Sequence, residues 1–208
     1  MPRSSREKST ETRSNIIEAA YRLFVDKGYN ATPMREISQH AGVTVGAIYN
    51  HFNTKEEIWV EVIKIKHPYH EILPLLREAE SETVAEMVRS GARLMVCELR
   101  NRPDLFNLMF IEIVEFKALH VPALIQLILP ELGSLQQAFK GKRGRYRNFP
   151  LPILLRSFVG LFFSYYITGI LMKDLPDISS DEIALDKFVD LYLNGILDED
   201  DPSRKESV

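Results

Sequence analysis

Residues 16–58 read IIEAAYRLFVDKGYNATPMREISQHAGVTVGAIYNHFNTKEEI, and the order of helix signals in this stretch decides the fold. Ile16, Ala20, Leu23 and Phe24, widened by Ile17 and Ala19, recur at helical spacing. Thr10 or Ser9 is placed to cap this first helix, and Glu11 suits its N-terminus. Lys27-Gly28 ends it, with a cation near the last carbonyls and a glycine able to turn left-handed. Thr32-Pro33 is a second start signal for a helix through Met34, Ile37 and Ala41 that stops at Gly42. Thr44 caps a third, very short helix ending near Phe52. Thr54 and Glu57 have capping-box spacing at the start of a fourth, which carries Ile58, Val62 and Ile65.

Helix, glycine turn, short helix is the helix-turn-helix arrangement. Ile37, Val43, Ile48 and Phe52 are expected to close a small core with Ile16, Ala20 and Phe24. Val45, Gly46, Tyr49 and Asn50 then fall on the opposite arc, and with Thr44 they are free to enter a major groove. Gly46 permits close approach, while Val45 or the Thr44 methyl can touch a thymine methyl. Tyr49, His51 and Lys55 are suited to phosphates, as are Thr32 and Arg35 at the start of the second helix. Residues 1–55 hold eight lysines and arginines against five acids, although the whole chain carries a net charge of −3. A basic head on an acidic remainder orients a molecule toward DNA.

Ala19-Ala20, Leu23-Phe24, Gly28-Tyr29, Thr32, Arg35-Glu36-Ile37, Ala41-Gly42-Val43, Ile48-Tyr49, His51-Phe52 and Lys55-Glu56 recur in the order and spacing of a known domain. On these residues the stretch Ile16 to Ile58 strongly resembles the N-terminal domain of TetR-family transcriptional regulators. Asn101 to Phe106 resembles the family's boundary between its fifth and sixth helices, and Phe188 to Leu197 its final helix. The resemblance implies a homodimeric regulator, most simply a repressor. Its two heads would read an inverted repeat in double-stranded DNA, and a small-molecule effector in the C-terminal body would change their separation. Pro68 and Pro74 depart from the family pattern and predict a kink or break in the fourth helix near Lys64 to His67.

Further helices are expected at about 82–101, 103–119, 122–139, 150–173 and 181–197, with no period-two stretch. The fold is therefore read as all-α with about nine helices: a three-helix DNA-binding head and a helical ligand-binding and dimerisation body. The expected boundaries are a flexible arm over 1–10, the head over 11–57, the body over 58–197 and a flexible tail over 198–208. Arg93, Cys97, Phe106, Phe110, Glu112, Phe116, Phe162 and Tyr165 are candidates for an effector cavity, since polar groups there interrupt aromatic, apolar helices. Cys97 itself is expected to be buried.

Residues 151–171, LPILLRSFVGLFFSYYITGIL, imitate a membrane span in length. The opening proline and Arg156, Ser157, Ser164 and Thr168 favour an interface helix, and no membrane partner is expected. Leu154, Ser157, Gly160, Leu161, Ser164 and Thr168, with Phe188 and Tyr192 of the last helix, are the expected dimerisation residues. The run KGKRGRYR at 140–147 is expected to be a solvated loop.

With 208 residues the chain is long enough to bury a core unaided. Its one cysteine excludes an intrachain disulfide and a CxxC site. The polar N-terminus shows no signal-peptide pattern, so the cytoplasm is the expected compartment. His67, His70 and Glu71 have chelating spacing, but Pro68 disturbs it and no third strong ligand is evident. No metal, cofactor or catalytic residue is expected, since no nucleophile, phosphate-loop or zinc-protease pattern occurs. The rival reading is a helical carrier or enzyme that uses the apolar body and shows no sequence preference for DNA.

Overall fold

The computed structural model describes residues 5–67, 69–78, 81–102, 104–143, 147, 149–174 and 182–196. Among them ten helices and no strand are present. These are α1 (Ser5–Lys27), α2 (Met34–His40), α3 (Val45–Tyr49), α4 (Lys55–Lys66) and α5 (Tyr69–Glu78), then α6 (Val84–Arg100), α7 (Asp104–Glu115), α8 (Val121–Lys140), α9 (Leu151–Leu171) and α10 (Glu182–Ile196). The chain divides into two compact units, residues 1–68 with 102–128, and residues 69–101 with 129–208. This division differs from the expected boundary near residue 57, because α4 and α7 both belong to the first unit.

Ten helices replace the expected nine because α4 ends before Pro68 and α5 follows as a separate helix. His67 caps α4 with φ −70° and ψ 129°, the extended conformation that a following proline imposes. Pro68 itself lies outside the described residues. Pro74 does not end a helix, and sits inside α5. The N-terminal arm is also shorter than expected. α1 starts at Ser5, and the Thr10 hydroxyl does not cap it but donates back to the Arg6 carbonyl at 3.1 Å.

The first unit is built around Ile16, Ala20, Phe24, Ile37, Ile48, Phe52, Ile58, Trp59 and Val62, with Leu108 of α7 added to that core. The expected small core of the head is present, Val43 being packed against it only in part. Trp59 takes the buried place on α4 that the spacing gave to Ile65, which is exposed. Two ion pairs tie α1 to α4, Arg13 to Glu61 and Lys66 to Glu18, both at 2.6 Å. Hydrogen bonding from Lys66 holds the Glu18 carboxyl below the usual range; at Glu61 burial pushes the carboxyl up, but Arg13 and Lys64 outweigh it. Lowered folded-state values mean that this stabilisation is complete above the unfolded carboxylate range and is lost as pH falls through the folded values. The expected result is a steeper loss of stability below about pH 4.5 in the wild type than in Glu18→Gln. Urea midpoints at pH 7 and at acid pH measure it, and parallel pH profiles would remove this pair from the account.

In the second unit α6 begins with a capping box between Thr83 and Glu86. Its apolar face, Val84, Ala85, Val88, Ala92 and Val96, packs with Leu154, Phe162 and Tyr165 of α9 and Leu185, Val189 and Leu193 of α10. Arg89 and Arg93, one turn apart, pair with Asp190 and Asp186 of α10 at 3.1 and 3.2 Å. The basic run after α8 is not wholly a solvated loop. Lys142 donates to the Ser81 carbonyl at 2.7 Å, Arg143 pairs with Glu82, and the Arg143 backbone bridges to Thr83; residues 144–146 lie outside the described residues.

Candidate nucleic-acid interface

The turn between α2 and α3 depends on Gly42 at φ +68°, a left-handed conformation that costs other residues about 1–2 kcal/mol. The Val43 N–H closes the turn on the Ser38 carbonyl at 3.0 Å. Thr44 caps α3 as expected, its hydroxyl accepting from the Ala47 N–H at 3.1 Å. Ile48 anchors the short helix in the core and is fully buried. The other side of the helix faces outward: Thr44, Gly46, Tyr49 and Asn50 are exposed, Val45 and His51 are half-buried, and Tyr49 keeps 53% of its surface. Thr54 caps α4 on the Glu57 N–H, while the Glu57 carboxylate reaches to the Asn53 N–H at 2.7 Å.

Two expected phosphate contacts meet a different environment. Thr32 is fully buried and does not cap α2, where Pro33 takes that place. Its hydroxyl donates to the Gly28 carbonyl at 2.8 Å, because the left-handed Gly28 leaves that carbonyl beyond the end of α1. Lys55 folds back over the Tyr29 ring and donates to the Tyr29 and Thr32 carbonyls at 2.7 and 2.9 Å. Burial pushes its ammonium below the usual lysine range, against the opposing pull of Glu115. Lys55 therefore holds the α1–α2 turn from inside the head. Arg35 is exposed on α2.

α7 completes this unit, which sequence reasoning missed. Glu112 was expected at an effector cavity but is buried in the head unit, accepting from Trp59 Nε1–H at 2.8 Å and from the His120 N–H at 2.7 Å. Phe116, another cavity candidate, stacks on Trp59 with centroids 5.3 Å apart and packs against Tyr29. The turn after α7 uses two left-handed non-glycine residues, Lys117 and Ala118, at φ 53° and 63°. Such residues persist only where their surroundings over-determine them. Here the Ala118 N–H bonds the Glu112 carbonyl at 2.9 Å and His120 is held by the Glu112 carboxylate. The signal available in the sequence was Glu112 and Glu115 at i, i+3, which puts two carboxylates on one helix face.

In the second unit a cavity of about 310 Å³ is lined by Val96, Leu99 and Arg100 of α6 and by Phe162, Tyr165, Tyr166, Gly169 and Ile170 of α9. Phe162 and Tyr165 were expected there. The remaining cavity candidates lie elsewhere: Arg93 in its ion pair with Asp186, Phe106 buried and Phe110 exposed on α7. Cys97 is exposed, not buried, because it falls on the opposite side of α6 from Val96 and Leu99.

The expected dimerisation residues also divide between two faces. Leu154 is buried, Phe188 packs on Tyr165 and the Tyr192 hydroxyl donates to the Leu154 carbonyl at 3.0 Å, so these three point inward. Leu161 and Thr168 are half-buried, and Ser157, Gly160 and Ser164 are exposed. Ile153, Val159, Ile170 and Leu171 are exposed on the same helix. α9 is also long and apolar enough to cross a membrane by length and composition.

Residues 16–62 match the family model described as bacterial regulatory proteins, tetR family. The HTH-type transcriptional regulator TtgR of Pseudomonas putida is 43% identical over 82 residues, 39% of either chain. This chain thus spans about two fifths of the length of the first curated relatives it matches. A longer likeness, 25% identical over 195 residues, covers 89% of this chain and 97% of YvkB, an HTH-type transcriptional regulator of Bacillus subtilis. Among solved structures, SmeT, the repressor of the Stenotrophomonas maltophilia multidrug efflux pump SmeDEF, superposes with a TM-score of 0.65 at 21% identity. That likeness covers 91% of this chain and 94% of SmeT, and SmeT is also known in complex with triclosan. It extends the common all-α fold beyond the head. The head formed from residues 16–62 thus matches the tetR family of bacterial regulatory proteins, and the likeness beyond it is one of fold.

Proposed function

We propose that this chain is a ligand-responsive transcriptional regulator of the cytoplasm, a repressor that binds an inverted-repeat DNA site as a homodimer. The observation that carries the reading is α3. One side is fixed by the fully buried Ile48, and Thr44, Gly46 and Tyr49 stand exposed on the other. A helix held this rigidly presents the same side chains in the same pose to every DNA it meets. Thr44, Val45 and Gly46 contact base edges; Tyr49, Asn50, His51 and Arg35 lie where phosphates pass. Lys55 and Thr32 contribute by shaping the head from within.

The apolar cavity on α6 and α9 supports an effector that is mostly apolar, with Arg100 and two tyrosines as its polar wall. The triclosan complex of SmeT is in keeping with such a ligand. Binding of the effector weakens DNA affinity to the extent that it favours one head arrangement over the other. The outward apolar face of α9 supports the dimer.

Selection of duplexes from a random pool, followed by a salt titration on the enriched sequence, tests the reading. An inverted repeat should emerge. Tyr49→Ala should weaken binding to all sequences alike, whereas Val45→Ala should change which half-site is preferred, by about 1–3 kcal/mol at one base pair. A carrier with a merely structural head would enrich nothing.

A further inference from the structure

α7 lies outside the residues that match the family, yet its last turn is bonded into the head. Glu115 receives the consecutive backbone N–H groups of Tyr29 and Asn30 on its two carboxylate oxygens, at 3.1 and 2.7 Å. On the other polarity of the same turn, the Tyr29 and Thr32 carbonyls receive Lys55 of α4. The turn that joins α1 to α2 is thus held by its donors to α7 and by its acceptors to α4. Gly28 makes this possible. It is left-handed at φ +84°, which converges the following N–H groups, and a Cβ there would stand 3.0 Å from Glu115 Oε1. One turn earlier on α7, Glu112 holds Trp59 of α4 and His120, so the helix that carries Glu115 is itself fixed to the head.

We propose that Glu115 is a positioning residue for sequence readout. It does not touch DNA; it sets the pose of α2 and α3 against α1 and α4. The inference rests on the DNA-binding reading above. Phosphate contacts tolerate small displacements of the head, since they carry no sequence information. Base readout does not, because side chains must meet base edges within about 0.5 Å of the productive geometry. Loosening the α1–α2 turn therefore lowers discrimination between sequences while leaving general affinity for DNA in place.

The experiment uses the full chain. Wild-type protein selects a duplex from a random pool, and its affinity for that duplex is compared with a scrambled duplex of equal length. The expected ratio of the two affinities falls about tenfold in Glu115→Ala, the scale of one lost charge-assisted contact. Glu115→Gln, which keeps one acceptor oxygen, falls less. Glu131→Gln, a control in the Arg77 pair of the other unit, leaves the ratio unchanged. Affinity for the scrambled duplex and helical content stay at wild-type values throughout. An unchanged ratio in folded Glu115→Ala overturns the inference, and so does an equal loss on both duplexes with helical content intact. If Glu115→Ala does not fold, hydrogen exchange of the wild-type Asn30 amide decides. That amide lies on an exposed turn and should be protected by its carboxylate partner, and exchange at the open-chain rate overturns the inference. Enrichment of no duplex by the wild type overturns the DNA-binding reading and this inference together, and is told apart by an Asn30 amide that remains protected.

Discussion

Replacing Trp59 with alanine should destabilise the first unit by about 4 kcal/mol, the cost typical of truncating a fully buried aromatic residue. Trp59 is completely buried, edge-on to Phe24 and stacked on Phe116. Its indole N–H is also one of the donors that keep the buried Glu112 carboxylate satisfied. Truncation therefore opens a cavity and removes a partner from a buried charge, and both effects act in the same direction. Trp59→Phe keeps most of the volume and loses only the donor. Its cost should be about 1–2 kcal/mol, because the His120 N–H and ring still bond Glu112. Trp59 is the only tryptophan of the chain, so its fluorescence follows unfolding of this unit in the wild type, with circular dichroism serving for the variants. A shift under about 1 kcal/mol for the alanine variant would contradict the packing described around this ring.

Gly160→Leu should abolish dimerisation without unfolding the chain. A Cβ built on Gly160 meets nothing within 4 Å, so within one copy the larger side chain has room. A loss of dimer would then report a second copy on the outward face of α9, as the proposed function has it. Overpacking a close helix crossing costs about 1–3 kcal/mol, and a two-fold interface meets the substitution twice. Dimer affinity should fall by about 100-fold or more. Affinity for the selected inverted repeat should fall with it, since one head contacts half the phosphates. Light scattering reads the mass and circular dichroism the fold. A variant dimer as tight as the wild type, or a wild type monomeric at micromolar concentration, would move the interface away from this face.

Local chemistry made most of the secondary structure legible. Helix starts at Thr44 and Thr54 and the left-handed glycines at 28 and 42 follow from residue types alone, because caps and left-handed turns are satisfied by atoms a few positions apart. The break at His67 was legible in the same way from the proline that follows it. The core of the head was readable from helical spacing, since Ile16, Ala20, Phe24, Ile37, Ile48 and Phe52 must share one interior.

What the sequence could not decide was which distant partner each polar group finds. Thr32 and Lys55 carry the marks of surface phosphate ligands, yet the fold turns one inward and spends the other on two carbonyls. Glu112 and Phe116 read as cavity residues because aromatic rings and isolated charges on an apolar helix look alike in any buried setting. Only the packing of α7 against α1 and α4 brings Glu112 to Trp59 and Glu115 to the α1–α2 turn, across more than fifty residues of chain in each case. Periodicity also could not choose between the two faces of α9, since large apolar residues stand on both; the choice falls to the neighbours α6 and α10, which cover Leu154, Phe162 and Tyr165 and leave Gly160 open. Spacing along the chain sets what a helix can bury, and the tertiary contacts alone set what it buries against, because burial and hydrogen-bond satisfaction are properties of the assembled surroundings.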